Sequence, residues 1–366
     1  MAQVSKYRLT LETLRKEILS GKYTSSKAFP SLVTAGRRFG ISRLTAVKVF
    51  DKLKDEGLID SRVGSGTFVT DSARSRLIGL VIPGISYSSE FFQPIVSETI
   101  RLAREHDYTI LMEGVWSPDA DENGKEAIEV AARLIRRKVA GVIYQPLEYS
   151  SDSEAINRRV LEAFARADIP VVLLDGDIVA GPARSEYDLV SIDNEGAGEA
   201  LAAHLLDCGA NNICFFMRRN WVQNVLNRAR GVRNAVLARG GKWRSSNVVM
   251  GNPDDAEAIR KVLRRRPRVD AFVCENDILA ALLMKTLFRL GLRVPDDVQV
   301  TGFDDVRLAR LTTPALTTVR QPCAAIARVA FERLLGRVQK GRSALSQPLH
   351  LQLPYTLEIR SSTKGS

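Results

Sequence analysis

From residue 77 to about residue 304 the sequence alternates unbroken apolar runs with longer segments whose apolar residues recur at helical spacing. "LIGLVIPG", "YTILMEG", "VAGVIYQP", "IPVVLLDGD" and "LVSIDNEG" read as strands, with helices in "FFQPIVSETIRLAREHD", "EAIEVAARLIRRK" and "EAINRRVLEAFARAD" between them. Beyond "GAGEALAAHLLDCG" the rhythm restarts with "NICFFMR", "RGVRNAVLARG", "DAFVCENDILAALLMKTLFRLG" and "VQVTGFDD". Strands apolar on both faces are buried on both faces, which calls for parallel pairing under helical cover. The expected body is α/β, built of doubly wound parallel sheets. Two such halves, divided near residues 180–195, predict two lobes with a cleft between them. In such sheets ligands bind beyond the carboxyl ends of the strands.

The first 76 residues differ in charge. They carry 15 Lys+Arg against 7 Asp+Glu, a surplus of 8 out of the total +11, which leaves +3 for the other 290. A small basic head on a nearly neutral body points to a polyanionic partner. Leu11, Leu14 and Ile18 mark one face of a helix ending near Gly21. A short second helix fits "PSLVTAGRRFG", with Pro30 and Ser31 at its start and Gly40 at its end. In "ISRLTAVKVFDKLKDEGLID", Ser42 is a candidate N-cap, and Ala46, Val49, Phe50 and Leu53 form a core-facing stripe. Helix, short helix, turn, helix is the helix-turn-helix arrangement, whose second helix lies in the major groove.

"SRVGSGTFVTD" then sets Gly64-Ser65-Gly66 between two short strands, Leu58-Ile59 and Thr67-Phe68-Val69. A phosphate-binding loop needs G-x-x-x-x-G-K-[ST] or G-x-G-x-x-G, and neither is present. The glycines instead supply the positive φ of a tight hairpin. "TDSARSR" is polar and lacks apolar periodicity, so residues 71–76 are expected to link a head over 1–70 to a body over 77–366.

From Lys6 to Val69 the head resembles the winged-helix domain of GntR-type bacterial regulators, on the strength of "FPSLVTAGRRFGISRLTAVKVFDKLKDEGLI" followed by "GSGTFV". The resemblance implies that Ser42, Arg43, Thr45 and Lys48 meet bases or phosphates and that the wing around Gly64 reaches the minor groove. Ser31, Arg62 and Ser65 complete the candidate DNA-contacting set with Leu44 and Val47. Val33, Leu44 and Val47 depart from the family's polar or basic residues. Leu44 and Val47 share the Arg43 face, so they either pack against thymine methyl groups, or extend the core or touch sugar.

The body, roughly Leu77 to Arg360, resembles the effector-binding domain of LacI/GalR repressors, itself similar to periplasmic sugar-binding proteins. Four strings carry this in order: "VSIDNEGAGEALAAHLLDCG", "NRARGVRNAV", "VCENDILAALLM" and "VPDDVQVTGFDDVRLARLTTPALTTVRQP". The resemblance implies effector contacts at Asp175, Arg228, Asn276, Asp304 and Gln321. Arg228 reads as part of an R-x-x-G turn entering a helix. Carboxylates, a guanidinium and amides in one cleft suit a polyhydroxylated ligand. Tyr87, Phe91 and Phe92 occupy the first strand-to-helix loop, where Phe92 either stacks on a sugar face or packs in the core. Asp193 and Asn276-Asp277 precede helices and also read as caps.

Cys208, Cys214, Cys274 and Cys323 form no C-x-x-C pair and lie at no metal spacing with His106, His204 or His350, so no disulfide framework, metal or cofactor is expected. No run of about 18 apolar residues suggests a spanning helix, and "MAQVSKYRLTLETLRKE" lacks a secretory pattern, so a cytoplasmic protein is expected. The chain is thus expected to be a homodimeric, ligand-responsive transcription regulator that binds double-stranded operator DNA and a small sugar-like effector. The alternatives are a solute-binding protein, or an enzyme using Asp175 and Asp304 as paired carboxylates.

Overall fold

The computed structural model describes residues 6–19, 22–23, 29–62, 66–70, 76–82, 90–114, 120–147, 152–179, 181, 183–218, 223–265, 267–340 and 347–365. The chain opens with three helices, α1 (Lys6–Leu19), α2 (Leu32–Phe39) and α3 (Arg43–Asp55), and an antiparallel hairpin of β1 (Ile59–Arg62) and β2 (Gly66–Val69). Leu11, Leu14 and Ile18 of α1 pack with Val49, Phe50 and Leu53 of α3, and Phe29, Leu58, Ile59 and Val69 close the same core. Gly40 ends α2 at φ 59°, a left-handed conformation that glycine adopts without a Cβ penalty, and its N–H donates to the Gly36 carbonyl. Arg15 grips Glu56 through two hydrogen bonds of 2.6 and 3.0 Å, tying α1 to the end of α3. The turn residues Gly64 and Ser65, the linker residues 71–75 and Tyr87 lie outside the described residues.

The body then alternates as its apolar runs require: β3 (Leu77–Val81), α4 (Phe92–Glu105), β4 (Thr109–Glu113), α5 (Ala120–Arg136), β5 (Gly141–Tyr144), α6 (Ser153–Arg166), β6 (Val171–Leu174) and β7 (Asp188–Ile192). A second series follows: α7 (Asn194–Asp207), β8 (Ile213–Met217), α8 (Gln223–Ala238), β9 (Val248–Met250), α9 (Ala256–Leu263), β10 (Ala271–Cys274), α10 (Asp277–Arg289), β11 (Gln299–Thr301) and α11 (Arg307–Leu311). The chain ends with β12 (Thr318–Arg320), α12 (Cys323–Lys340), β13 (His350–Leu353) and β14 (Thr356–Glu358).

Two parallel sheets result, β13-β7-β6-β5-β3-β4 and β11-β10-β8-β9, with a small antiparallel β12–β14 pair. The lobes are not two consecutive halves. The chain leaves the first lobe after β7, but α12 packs back on α4, β5, β6 and β7, and β13 adds the sixth strand of the first sheet. Leu334 and Val338 of α12 lie against Gly141 of β5, so glycine makes room for the returning helix. Asp188, fully buried at the start of β7, is held by Arg333 and Arg337 of α12 at 2.8 Å each, which anchors the return. Among the described residues no helix is long and apolar enough to cross a membrane.

Candidate functional site

On the head, Ser31 and Ser42 cap α2 and α3. Their hydroxyls accept hydrogen bonds from the Thr34 and Thr45 amides at 3.1 and 3.2 Å, because neither amide has a partner within its first helical turn. Arg43, Leu44 and Lys48 are exposed on α3, and Thr45 and Val47 are half-buried. Leu44 is 69% and Val33 59% exposed, so neither belongs to the core that holds Ala46, Val49 and Phe50. Arg62 ends β1 opposite Gly66. Ser42→Ala is expected to cost the head about 1 kcal/mol, the usual worth of a cap, read from the thermal unfolding of the full chain.

In the body, groups from both lobes converge at the carboxyl edges of the sheets. Asp175 follows β6 and Asp304 lies just beyond β11, with φ of 67° and 106°. Non-glycine residues hold such conformations only where their surroundings fix them. Here the Asp175 amide donates to the Val190 carbonyl at 2.9 Å, and the Asp304 amide donates to the Val319 carbonyl at 2.8 Å. The Asp175 carbonyl accepts from Asn224 of α8 at 3.0 Å, a bond between the lobes. A second bond between them runs from the Arg307 amide to Glu90 at 3.0 Å.

Arg228 is the centre of the cluster and only 6% exposed. It lies inside α8 rather than in a turn entering it, which corrects the reading from its R-x-x-G context. Its Nε donates to Asn194 Oδ1 at 2.8 Å and its Nη1 to the Glu275 carbonyl at 2.7 Å. Its guanidinium carbon sits 3.5 Å from the centroid of the Phe303 ring, a cation–π stack. Gln321 donates through Nε2 to Asp304 Oδ1 at 2.8 Å. Arg218 holds Glu275 from the other side through its own amide at 2.9 Å and its guanidinium at 3.3 Å.

Burial pushes the Asp175 and Glu275 carboxyls above their usual range, against the pull of Arg228. Burial likewise raises Asp304, whose ordinary value is 3.8, to about 6, with Arg228 and Gln321 opposing and Asp175 and Glu275 adding to the rise. Between about pH 4 and pH 6 the folded chain therefore holds a proton that the unfolded chain has released. Stability contributed by Asp304 falls as pH rises across that window and levels off above it. At pH 7 Asp304→Asn is expected to be more stable than the parent by on the order of 2 kcal/mol, and by little near pH 4. Urea unfolding at the two pH values reads the difference.

Asn276 accepts the Leu279 amide at 2.9 Å and so caps α10, as Asp193 caps α7. Asp277 is a structural acid: it accepts from the Thr318 hydroxyl at 2.6 Å and the Val306 amide at 2.9 Å, bracing the turn after β11. Phe92 begins α4 and is packed against the core beside Phe91, 4.8 Å between ring centroids. Sequence reasoning missed Gln145, Asn194, Asn224 and Glu275. A cavity of about 520 Å³ opens between β9, α9 and α10, lined by Met250, Pro253, Leu279 and Leu282, and it shares Arg218 with the cluster. Among the described residues no group of three or more His, Cys, Asp or Glu is placed to hold a metal ion.

Comparison with known proteins agrees with this two-part organisation. Residues 6–69 match the bacterial regulatory proteins of the gntR family, and residues 202–363 match the periplasmic binding protein-like domain. The chain is 27% identical over 348 residues to the arabinose metabolism transcriptional repressor of Geobacillus stearothermophilus, covering 92% of each chain. It is 30% identical over 295 residues to the HTH-type transcriptional regulator DegA of Bacillus subtilis, covering 79% of this chain and 81% of that one. The solved structure of the transcriptional regulator CelR in complex with cellobiose superposes with a TM-score of 0.67 at 22% identity, over 91% of this chain and all of that one. The chain belongs to the family of HTH-type transcriptional regulators in which a DNA-binding head precedes a periplasmic-binding-protein-like domain.

Proposed function

We propose that the protein is a cytoplasmic, homodimeric repressor of carbohydrate-utilisation genes, with a GntR-type winged helix over 1–70, a linker over 71–76 and a sugar sensor over 77–366. The observation that carries this reading is the buried polar cluster at α8, where Arg228 donates to Asn194 and the Glu275 carbonyl, and Asn224, about one turn earlier, donates across to the Asp175 carbonyl of the other lobe. A ligand taken into that network touches both lobes at once. Any change it makes in their angle must break or remake the Asn224–Asp175 and Arg307–Glu90 bonds. In a dimer that change alters the spacing of two winged helices, whose half-sites lie about one helical turn or a multiple apart, roughly 10 base pairs each. Relatives named as repressors of arabinose metabolism and of a ribose operon support a sugar as the effector.

The test is fluorescence anisotropy on an operator selected from a random duplex library, titrated with free pentoses, hexoses and disaccharides. Coupling of about 1–3 kcal/mol, or 5–150-fold in operator affinity, is the expected range. The reading fails if no sugar moves either operator affinity or melting temperature. On the same operator Arg43→Ala is expected to weaken binding and lower the salt slope by about 1, as one lost phosphate contact does. Leu44→Thr is expected to change the base preferred at one position of each half-site, because a leucine contact to a thymine methyl is replaced by a hydroxyl. An unchanged operator would remove Leu44 from base reading.

A further inference from the structure

The body carries a surplus of 3 positive charges over 290 residues, yet residues 260–270, "RKVLRRRPRVD", hold six Lys+Arg against one Asp, a surplus of 5. The rest of the body is therefore slightly negative. A helix needs only a last-turn pair such as Arg260 and Lys261 to complement its dipole. Arg264, Arg265 and Arg268 lie beyond the end of α9 at Leu263 and serve no such purpose.

The fold gathers more cations to the same place. β9 and β10 both run parallel to β8 in one sheet, so the stretches leading into them share its amino edge. Lys242 and Arg244 lead into β9, and Arg264, Arg265 and Arg268 lead into β10. Arg265 fastens the two stretches together by donating Nη1 to the Ser246 carbonyl at 2.5 Å. Lys242, Arg244, Arg260, Arg264 and Arg268 are all exposed, and among the described residues none is paired with a carboxylate. The acids nearby are engaged elsewhere. Asp270 accepts from the Asn211 and Asn212 amides at 2.9 Å each, and Glu257 takes Lys261 at 3.4 Å. Asp297, whose field reaches Arg268, takes Arg293 at 3.3 Å.

Four of these five unpaired cations are arginines, and none of the exposed large apolar side chains falls between residues 242 and 268. A protein interface centres on an aromatic or aliphatic anchor, whereas a guanidinium fork matches a phosphate two bonds at a time. Duplex DNA is the phosphate polymer that a gntR-type head already brings within reach. The cleft lies at the carboxyl edges of both sheets, and the head joins the other lobe at the amino end of β3. The basic edge is thus turned away from both, toward a second stretch of DNA rather than the one the head holds. Building on the DNA-binding reading of the head, we propose that the amino edge of the second sheet is a sequence-independent binding surface for the phosphate backbone of a second duplex. The chain holds an operator at one end and an arbitrary duplex at the other.

The test loads the full chain onto immobilised operator, washes away the excess, and passes a random-sequence duplex over it at a series of salt concentrations. Five phosphate contacts predict a salt slope of about −4.5 for this second capture. The triple variant Arg260→Gln, Arg264→Gln, Arg268→Gln is expected to weaken it at least tenfold and flatten the slope to about −2, with operator affinity and melting temperature unchanged. Arg→Lys at the same three positions is expected to keep the slope. Lys242→Gln with Arg244→Gln, on the neighbouring stretch, is expected to flatten it to about −3. No capture at low salt, or capture that the triple glutamine variant leaves intact, would overturn the proposal. Poly-glutamate that binds the parent and not the triple variant, where the duplex binds neither, would overturn it in favour of an acidic protein partner. If no operator emerges from selection, the reading of the head fails by itself, and the random duplex is titrated directly against the full chain. A slope that the triple variant lowers then upholds the surface without the head, and one that it does not lower overturns the surface too.

Discussion

Replacing Arg228 by alanine is expected to cost about 3–5 kcal/mol of stability, the range for buried ionic groups deprived of their partner. The charge of Arg228 acts on both Asp175 and Asp304, and its Nη1 donates to the Glu275 carbonyl. Its loss strands Asn194 Oδ1 and uncovers the Phe303 ring. It also removes the charge that opposes the upward shift of the Asp175 and Asp304 carboxyls. Both carboxyls, already raised in the parent, then bind protons more tightly still in the folded state. The folded variant takes up protons as pH falls, and its stability rises toward low pH. The deficit is therefore largest near pH 8 and smaller at pH 5, which urea unfolding of parent and variant at both values will show. Arg228→Lys keeps the charge but neither the two-pronged donation nor the flat stack on Phe303, so it is expected to recover only part of the loss. A deficit below about 1 kcal/mol at pH 8 would place Arg228 outside any essential role in holding the cluster.

What the sequence discloses, and what it hides, follows from how local each constraint is. The stripe Ala46, Val49, Phe50, Leu53 is buried as its spacing demands, and Ser42 caps α3 through an amide three residues away. The strands are legible for the same reason: a run such as "IPVVLLDGD" is apolar throughout because β6 is covered on both faces. The family resemblance singles out Asp175 and Asp304, and both follow such runs. Gln145 ends one too, after "VAGVIY", but nothing local shows that its oxygen is orphaned, since that depends on β3, β6 and what faces them. Glu275 lies beside Asn276 in a string already singled out. It enters the site through a backbone carbonyl, which a residue type does not reveal. The return of α12 and β13 to the first lobe is equally non-local, because it rests on Asp188 meeting Arg333 and Arg337 more than 140 residues later. The misreading of Arg228 had an available remedy. Val225, Ala229, Val232 and Val236 are all buried and recur every three or four residues, a helical stripe that begins before Arg228 and runs through Gly231 without a break.

That glycine makes no turn, and its substitution is expected to be as damaging as loss of the arginine. α7 and α8 cross so closely that a methyl group on Gly231 would fall inside the carbonyl oxygen of Glu195 and 2.8 Å from the Glu199 amide nitrogen. A methyl group on Gly198 would likewise meet the carbonyl of Arg228 itself. The atoms in the way are backbone, which cannot rotate aside as a side chain can, so the two helices must separate along their length. Gly231→Ala is accordingly expected to cost at least about 3 kcal/mol, the upper end of overpacking, even though alanine favours a helix by about 1 kcal/mol over glycine. Gly251→Ala, whose added carbon meets nothing within 4 Å, serves as the control and is expected to stay within about 0.5 kcal/mol of the parent. The consequence extends to the cleft. Asn194 begins α7 and Arg228 lies on α8, so their 2.8 Å hydrogen bond spans the same crossing. Parting the helices pulls Arg228 off Asn194 before any ligand-facing residue is changed. A Gly198→Ala chain that still folds is therefore expected to lose effector affinity at least tenfold, as a displaced Arg228 would. Unchanged effector affinity in that variant would mean that the glycine crossing supports the fold alone and leaves the position of Arg228 to α8 by itself.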